Sequence, residues 1–184
     1  MGCGPGPTTE MLLKQGARGI VSVDFSIESL KINKDRCQNF DSKPIFVCQD
    51  LRSLGLKQSS ASLLVMADFL QHIVCREERE KFLNEAFSAL IPGGRFFLSF
   101  FNINLINYLK GDVFGDFCSG KIPYQRFHPK NIIRYFPQEI IIEKITPMNI
   151  FNNTLPDRIL TKLPLAILLS RMVVVTGFKR DITD

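Results

Sequence analysis

The chain opens Met1-Gly2-Cys3-Gly4-Pro5-Gly6, three glycines alternating with other residues directly ahead of a segment with helical character. Glycines at this spacing let the backbone turn tightly and let a ligand lie against bare main chain. The apolar run Gly19-Ile20-Val21-Ser22-Val23 then ends at Asp24, eighteen residues past Gly6. A carboxylate that closes a second strand about 20 residues after a glycine loop is placed to accept hydrogen bonds from ribose hydroxyls. A strand is expected before such a loop, yet here the loop begins at residue 1.

The rest of the chain alternates short apolar runs with helical patterns, which implies an α/β layer architecture. Thr8 to Gln15 reads as a helix, Ile20 to Asp24 as a strand, and Ser26 as the N-cap of a helix carrying Ile27, Leu30 and Lys34. Ile45 to Cys48 and Leu63 to Met66 read as strands, the second as a buried parallel one. Glu77 to Leu90 is the clearest helix, with Phe82, Leu83, Ala86, Phe87 and Leu90 at helical spacing. Pro92-Gly93-Gly94 is expected to stop it and turn the chain into a strand from Arg95 to Phe100. Asn102 to Phe136, broken by glycines and Pro123, reads as irregular and helical. Ile140 to Ile145 and Met172 to Lys179 read as strands flanking a proline-punctuated stretch, Pro147 to Pro164.

At 184 residues, 45% hydrophobic and 22% charged, the chain is expected to form a single globular domain, residues 1–184. The net charge of +5 is scattered, with no basic arm, so no nucleic-acid partner is expected. Five cysteines, Cys3, Cys37, Cys48, Cys75 and Cys118, form no Cys-x-x-Cys pair. They imply free thiols in a reducing compartment, and a cytoplasmic location is the expectation. Two histidines and scattered cysteines offer no metal-ligand spacing. Leu163 to Val175 is too short and too interrupted for a membrane span and reads as a buried helical turn followed by a strand.

Taken in order, Gly2-Cys3-Gly4-Pro5-Gly6, Asp24-Phe25-Ser26, Asp50-Leu51 and Leu90-Ile91-Pro92-Gly93-Gly94 resemble the class I S-adenosylmethionine-dependent methyltransferases, and most closely the branch acting on small molecules. The resemblance covers nearly the whole chain. It implies an α/β, Rossmann-like sheet with helices on both faces, residues 1–100 forming the cofactor-binding half and 101–184 the acceptor side. It further implies S-adenosylmethionine as cofactor and a small organic molecule as methyl acceptor. Gly2, Cys3, Gly4 and Gly6 would pass close to the cofactor's amino-acid tail and ribose. Asp24 would accept from the ribose hydroxyls, Phe25 would pack on adenine, and Asp50 would accept from the adenine amino group with the backbone of Leu51 alongside. The backbone of Ala67 would sit under the methionine part. Each of these residues also has a plainer reading: Asp24 as a strand-end residue paired with Ser26, Asp50 as a turn residue, Phe25 as core.

A dinucleotide site is the rival for the loop, but Gly-x-Gly-x-x-Gly fails here, with Pro7 or Thr9 at the third position. Ala67-Asp68-Phe69-Leu70 stands where methyltransferases of base amino groups usually carry Asn/Asp-Pro-Pro-Tyr/Phe, which disfavours a nucleic-acid base as acceptor. His72 is the candidate for acid–base work; its plainer reading is a packed histidine paired with a carbonyl. His128, before Pro129, suits a helix cap. Tyr124 and Arg126 lie where relatives border the acceptor pocket, and a surface role is equally open to them.

The family's sheet order is 3-2-1-4-5-7-6, and its first, central strand is missing from this sequence. The strands at Ile20 and Leu63 would then lack the partner between them, with unpaired groups costing about 1–3 kcal/mol each if buried. A truncated or mis-started chain is therefore expected. The alternative is a degenerate, non-catalytic homologue serving as an interaction module.

Overall fold

The computed structural model describes residues 1–53, 55–149 and 165–181. It comprises two compact units, Met1–Gly55 and Leu56–Asp184.

The first unit runs α1 (Pro7–Lys14), β1 (Val21–Asp24), α2 (Ile27–Arg36), β2 (Ile45–Cys48). The two strands pair in parallel, from Val21 opposite Ile45 to Asp24 opposite Cys48. Ser26 caps α2 as its sequence position predicts: its side chain accepts from the Ser29 backbone N–H at 3.1 Å. The helices are tied to β1 by a buried polar chain. Asn33 Nδ2 donates to Thr9 Oγ1 at 3.2 Å, Thr9 Oγ1 lies 3.1 Å from Ser22 Oγ, and Cys37 Sγ donates to Asn33 Oδ1 at 3.4 Å. All four residues are buried, so each polar group is satisfied by another rather than by water.

The second unit runs β3 (Ala61–Met66), α3 (Arg76–Ser88), β4 (Leu90–Phe101), α4 (Leu105–Leu109), β5 (Phe114–Phe117), β6 (Ile122–Gln125), α5 (Pro129–Ile133), β7 (Ile140–Met148), α6 (Ala166–Leu169) and β8 (Met172–Lys179). Its sheet has the order β3-β4-β8-β7. β3 and β4 are parallel, and β8 is antiparallel to both β4 and β7. β1 and β3 belong to different sheets.

The apolar stripe of α3 is buried at Phe82, Leu83, Ala86 and Phe87, as its spacing predicts. Phe87, Phe96 and Phe136 form an edge-to-face cluster with centroids 4.7–5.7 Å apart. Lys179 of β8 donates from Nζ to the carbonyl of Leu90 at 3.0 Å, with the Phe87 carbonyl at 3.5 Å. The buried Lys179 ammonium thus meets one carbonyl from the last turn of α3, Phe87, and one from the start of β4, Leu90.

Two expectations need correction. Pro92-Gly93-Gly94 does not separate α3 from the strand: the helix ends at Ser88, and Leu90 already pairs with Ala61. Pairing resumes at Arg95 with Leu63, so Ile91 to Gly94 loop out against Ser62 as a bulge inside β4. Asn102 to Phe136 is not merely irregular and helical either. It holds the antiparallel hairpin β5–β6, in which Phe114 faces Gln125 and Phe117 faces Ile122. Of the stretch from Pro147 to Pro164, residues 150–164 lie outside the described residues.

At Gly177 in β8, a Cβ would fall 2.0 Å from the Ile141 carbonyl oxygen and 2.8 Å from the Phe96 ring. The first obstacle is backbone, which cannot swing aside. Gly177→Ala is expected to destabilise the protein by about 1–3 kcal/mol, read as a lowered melting temperature and urea midpoint.

Candidate functional site

The glycine loop is held by the strand it precedes in sequence. Cys3 N–H donates to the Val23 carbonyl at 3.0 Å, and Gly6 N–H to the Cys3 carbonyl at 3.2 Å. Asp24, which is buried, then joins the loop to the start of α2: Gly4 N–H donates to Oδ2 at 2.7 Å and Ser26 N–H to Oδ1 at 3.0 Å. The pairing with Ser26 matches the plainer reading of this residue, whereas the bond to Gly4 had no separate signal in the sequence. Each carboxylate oxygen can accept a second bond, so Asp24 keeps capacity for a hydroxyl donor.

Gly2, Gly4 and Gly6 all have positive φ, at 62°, 52° and 89°, a region that other L-residues enter at a cost. Two of them serve different ends. A Cβ on Gly4 would meet nothing within 4 Å, so its backbone faces open space. A Cβ on Gly6 would fall 2.1 Å from Asn33 Oδ1, so Gly6 is the close-packing glycine. Cys3 sits in the same loop, and burial pushes its thiol pKa up.

Phe25 is 73% exposed and is therefore not core. Asp50 is held by Arg52, whose Nη2 lies 2.6 Å from Oδ2 and whose backbone N–H donates to Oδ1 at 2.9 Å. These bonds hold the Asp50 carboxyl below the usual carboxylate range. Leu51 is buried at the start of a short 3₁₀ turn, Leu51–Ser53. Ala67 belongs to the second unit, directly after β3, and is followed by Asp68 at a positive φ of 55°.

This donor set fits an adenosine-type ligand without phosphate. In phosphate-binding loops the backbone N–H groups point at the anion; here the Gly4 N–H is engaged by a carboxylate, whose charge would repel one. Open main chain, a carboxylate with spare acceptor capacity and an exposed aromatic ring remain.

A cavity of about 830 Å³ lies in the second unit. Its aromatic wall is Phe101, Phe117 and Tyr124. The Tyr124 ring fits because Gly115, opposite it in the hairpin, has no side chain: a Cβ there would fall 2.4 Å from Tyr124 Oη. Arg126 holds that ring in place. Its Nη2 donates to Tyr124 Oη at 3.0 Å, while Nη1 donates to Asp112 Oδ1 at 2.7 Å and to the Asp112 carbonyl at 3.0 Å. Tyr124 and Arg126 thus both line this cavity. Asn104, Lys110 and Arg171 also border it, and none was singled out from the sequence. They come from separate segments whose proximity has no local pattern.

His72 ends a 3₁₀ turn, Leu70–His72. Its Nδ1 lies 3.0 Å from the Pro123 carbonyl, and its ring contacts Phe117 with centroids 6.2 Å apart. A carbonyl only accepts, so Nδ1 carries a proton there, and in the neutral ring the lone pair is on Nε2. His128 caps α5 as expected, Nδ1 accepting from Lys130 N–H at 3.2 Å.

A glycine loop beside a strand-end carboxylate in an α/β fold is an arrangement suited to a nucleoside-bearing cofactor. Residues 1–98 match the family model described as a methyltransferase domain, and the chain belongs to that family. S-adenosylmethionine is the cofactor that this membership brings. Among curated relatives, the chain is 24% identical over 141 residues to a ubiquinone biosynthesis O-methyltransferase of Coxiella burnetii, covering 73% of this chain and 58% of that protein. It is 26% identical over 141 residues to the protein of the same name from Idiomarina loihiensis, covering 73% of this chain and 56% of that protein. The chain therefore spans less than two thirds of the length of either relative. A solved S-adenosylmethionine-dependent methyltransferase from Methanosarcina mazei shares the fold, with a TM-score of 0.74 at 17% identity over 97% of this chain and 90% of that one. Among the described residues, no helix is long and apolar enough to cross a membrane.

The two loop glycines are separable by experiment. Gly6→Ala is expected to lower the urea midpoint clearly more than Gly4→Ala, because both incur backbone strain but only Gly6→Ala collides with buried Asn33.

Proposed function

We propose that this chain carries out S-adenosylmethionine-dependent methyl transfer to a small organic molecule, with an oxygen as the acceptor atom. The observation that carries this reading is the Asp24 carboxylate bound to Gly4 N–H, beside an open glycine backbone and an exposed Phe25. The oxygen acceptor rests on the curated relatives, which are named O-methyltransferases.

In this reading Asp24 accepts from the ribose hydroxyls, Phe25 packs on adenine, and Asp50 with the Leu51 backbone holds the adenine edge. The main chain of Gly2, Cys3, Gly4 and Gly6 lies along the tail. When bound, the cofactor supplies a methyl group already activated on a sulfonium, so the protein contributes mainly orientation and exclusion of water. The cavity walled by Phe101, Phe117 and Tyr124 receives the acceptor. His72, whose ring lies against Phe117 of that wall, is the candidate base where the acceptor hydroxyl must lose its proton. The free thiols at all five cysteines fit a reducing, cytoplasmic setting.

Calorimetric titration with S-adenosylhomocysteine tests the cofactor half. Binding is expected, and Phe25→Ala, which removes an exposed ring and leaves the core alone, should weaken it by about tenfold. Absence of binding from a cooperatively folding chain would overturn the reading in favour of a non-catalytic module. For His72, ¹⁵N chemical shifts are expected to show the Nδ1–H tautomer; an Nε2–H tautomer would remove it as the base.

A further inference from the structure

The polar groups around the second-unit cavity are unevenly committed. Asp112, its acid, is paired on both oxygens: Oδ1 accepts from Arg126 and Oδ2 accepts from Asn107 Nδ2 at 2.9 Å. Arg126 is committed in turn to Asp112 and Tyr124, with its side chain only 17% exposed. Among the described residues, three nitrogen-donor groups on the lining remain. Lys110 and Arg171 are exposed, and among the described residues their charged ends meet no acid. Asn104 is 7% exposed; its Oδ1 caps α4 by accepting from Asn107 N–H at 2.9 Å, which leaves Nδ2 without a partner among the described residues. These three groups are donors, and two of them are cations. A ligand that satisfies them must bring acceptor oxygens and negative charge.

The other half of the lining is flat and apolar. Phe101 and Tyr124 meet edge to face at 5.2 Å, and Phe117 and Tyr124 lie 4.8 Å apart. A cavity of about 830 Å³ lies within the range that takes a ring-sized ligand with substituents.

We infer that the cavity binds an aromatic ring carrying an anionic oxygen group, carboxylate or phosphate, with the ring against Phe101, Phe117 and Tyr124 and the anion held by Lys110, Arg171 and Asn104 Nδ2. This names the substrate class of the cavity assigned above to the methyl acceptor, and it rests on that assignment. Arg171 offers the planar fork that suits two oxygens at once, and Lys110 adds a point charge. Arg126, although basic, is a positioning residue here: it holds the Tyr124 ring and is already neutralised.

The test uses probes without a methylatable hydroxyl, so that it reads binding alone. The 184-residue chain is titrated with 2-naphthoate, 2-naphthyl phosphate and neutral 2-naphthamide, followed by NMR shifts of the protein amides. At least one of the two anions is expected to bind at least tenfold more tightly than the amide, with shifts centred on the β5–β6 hairpin and α4. Which anion wins separates a carboxylate-bearing from a phosphate-bearing acceptor. Lys110→Gln and Arg171→Gln are each expected to reduce that preference, and the double variant to abolish it, with amide binding and melting temperature unchanged. Equal binding of anion and amide, a preference that survives the double variant, or binding of none of the three would overturn the inference. S-adenosylhomocysteine titration of the same double variant keeps the two readings apart. Its retention while the anion preference is lost supports the inference, whereas anion binding in a chain that never binds S-adenosylhomocysteine would sink the cofactor reading alone.

Discussion

Asn102 is where the walls of the cavity are fastened together. It is buried at the end of β4, and its backbone N–H donates to the Arg171 carbonyl at 2.8 Å. Its side-chain Nδ2 donates to the carbonyls of Ile167 at 2.6 Å and Ser170 at 3.0 Å. On the other side, Phe127 N–H donates to the Phe101 carbonyl at 2.9 Å and Ile103 N–H to the Phe127 carbonyl at 3.1 Å. Three passes of the chain are thereby joined at one point: the end of β4, the α6–β8 connection and the segment after β6. Phe101, Arg126 and Arg171 are each next to a residue in this knot, so their positions at the cavity follow from it. β4 can serve as the anchor because it is paired along both edges, to β3 and to β8.

The first unit relies on a smaller device of the same kind. Asp24 binds the glycine loop and the start of α2 with one carboxylate, and Asn33 fills the space that Gly6 leaves open. A loop of glycines has many conformations available and loses more entropy on ordering than other sequences. A charge-assisted bond to Gly4, backbone bonds from Cys3 and Gly6, and the packed face of Asn33 offset that loss. The same carboxylate is the proposed ribose acceptor, so shaping the loop and recognising the ligand fall on one side chain.

Much of this was legible in the chain itself. The alternation of elements, the Ser26 and His128 caps, the buried stripe of α3 and the glycine loop with its carboxylate all depend on residues close in sequence. The bulge at Pro92-Gly93-Gly94 was not legible, because the same three residues serve equally as a turn, and only pairing with β3 decides between the two. Nor was the β5–β6 hairpin: Phe114 to Phe117 and Ile122 to Gln125 are short, and Gly115 and Pro123 weaken both as strands. They pair because Gly115 leaves room for the Tyr124 ring.

By itself the sequence determined the α/β class, the family and the glycine loop proposed to receive the cofactor, since each is written in local spacing. Tertiary structure alone decided which charges are spent and which remain. Arg126 and Lys110 look alike in sequence, yet one is committed to Asp112 and Tyr124 while the other borders the cavity with no acid beside it among the described residues. The physical reason is that an ion pair depends on separation in space. Folding brings Asp112 to within 2.7 Å of Arg126 across fourteen residues of chain, and no local pattern reports such a distance.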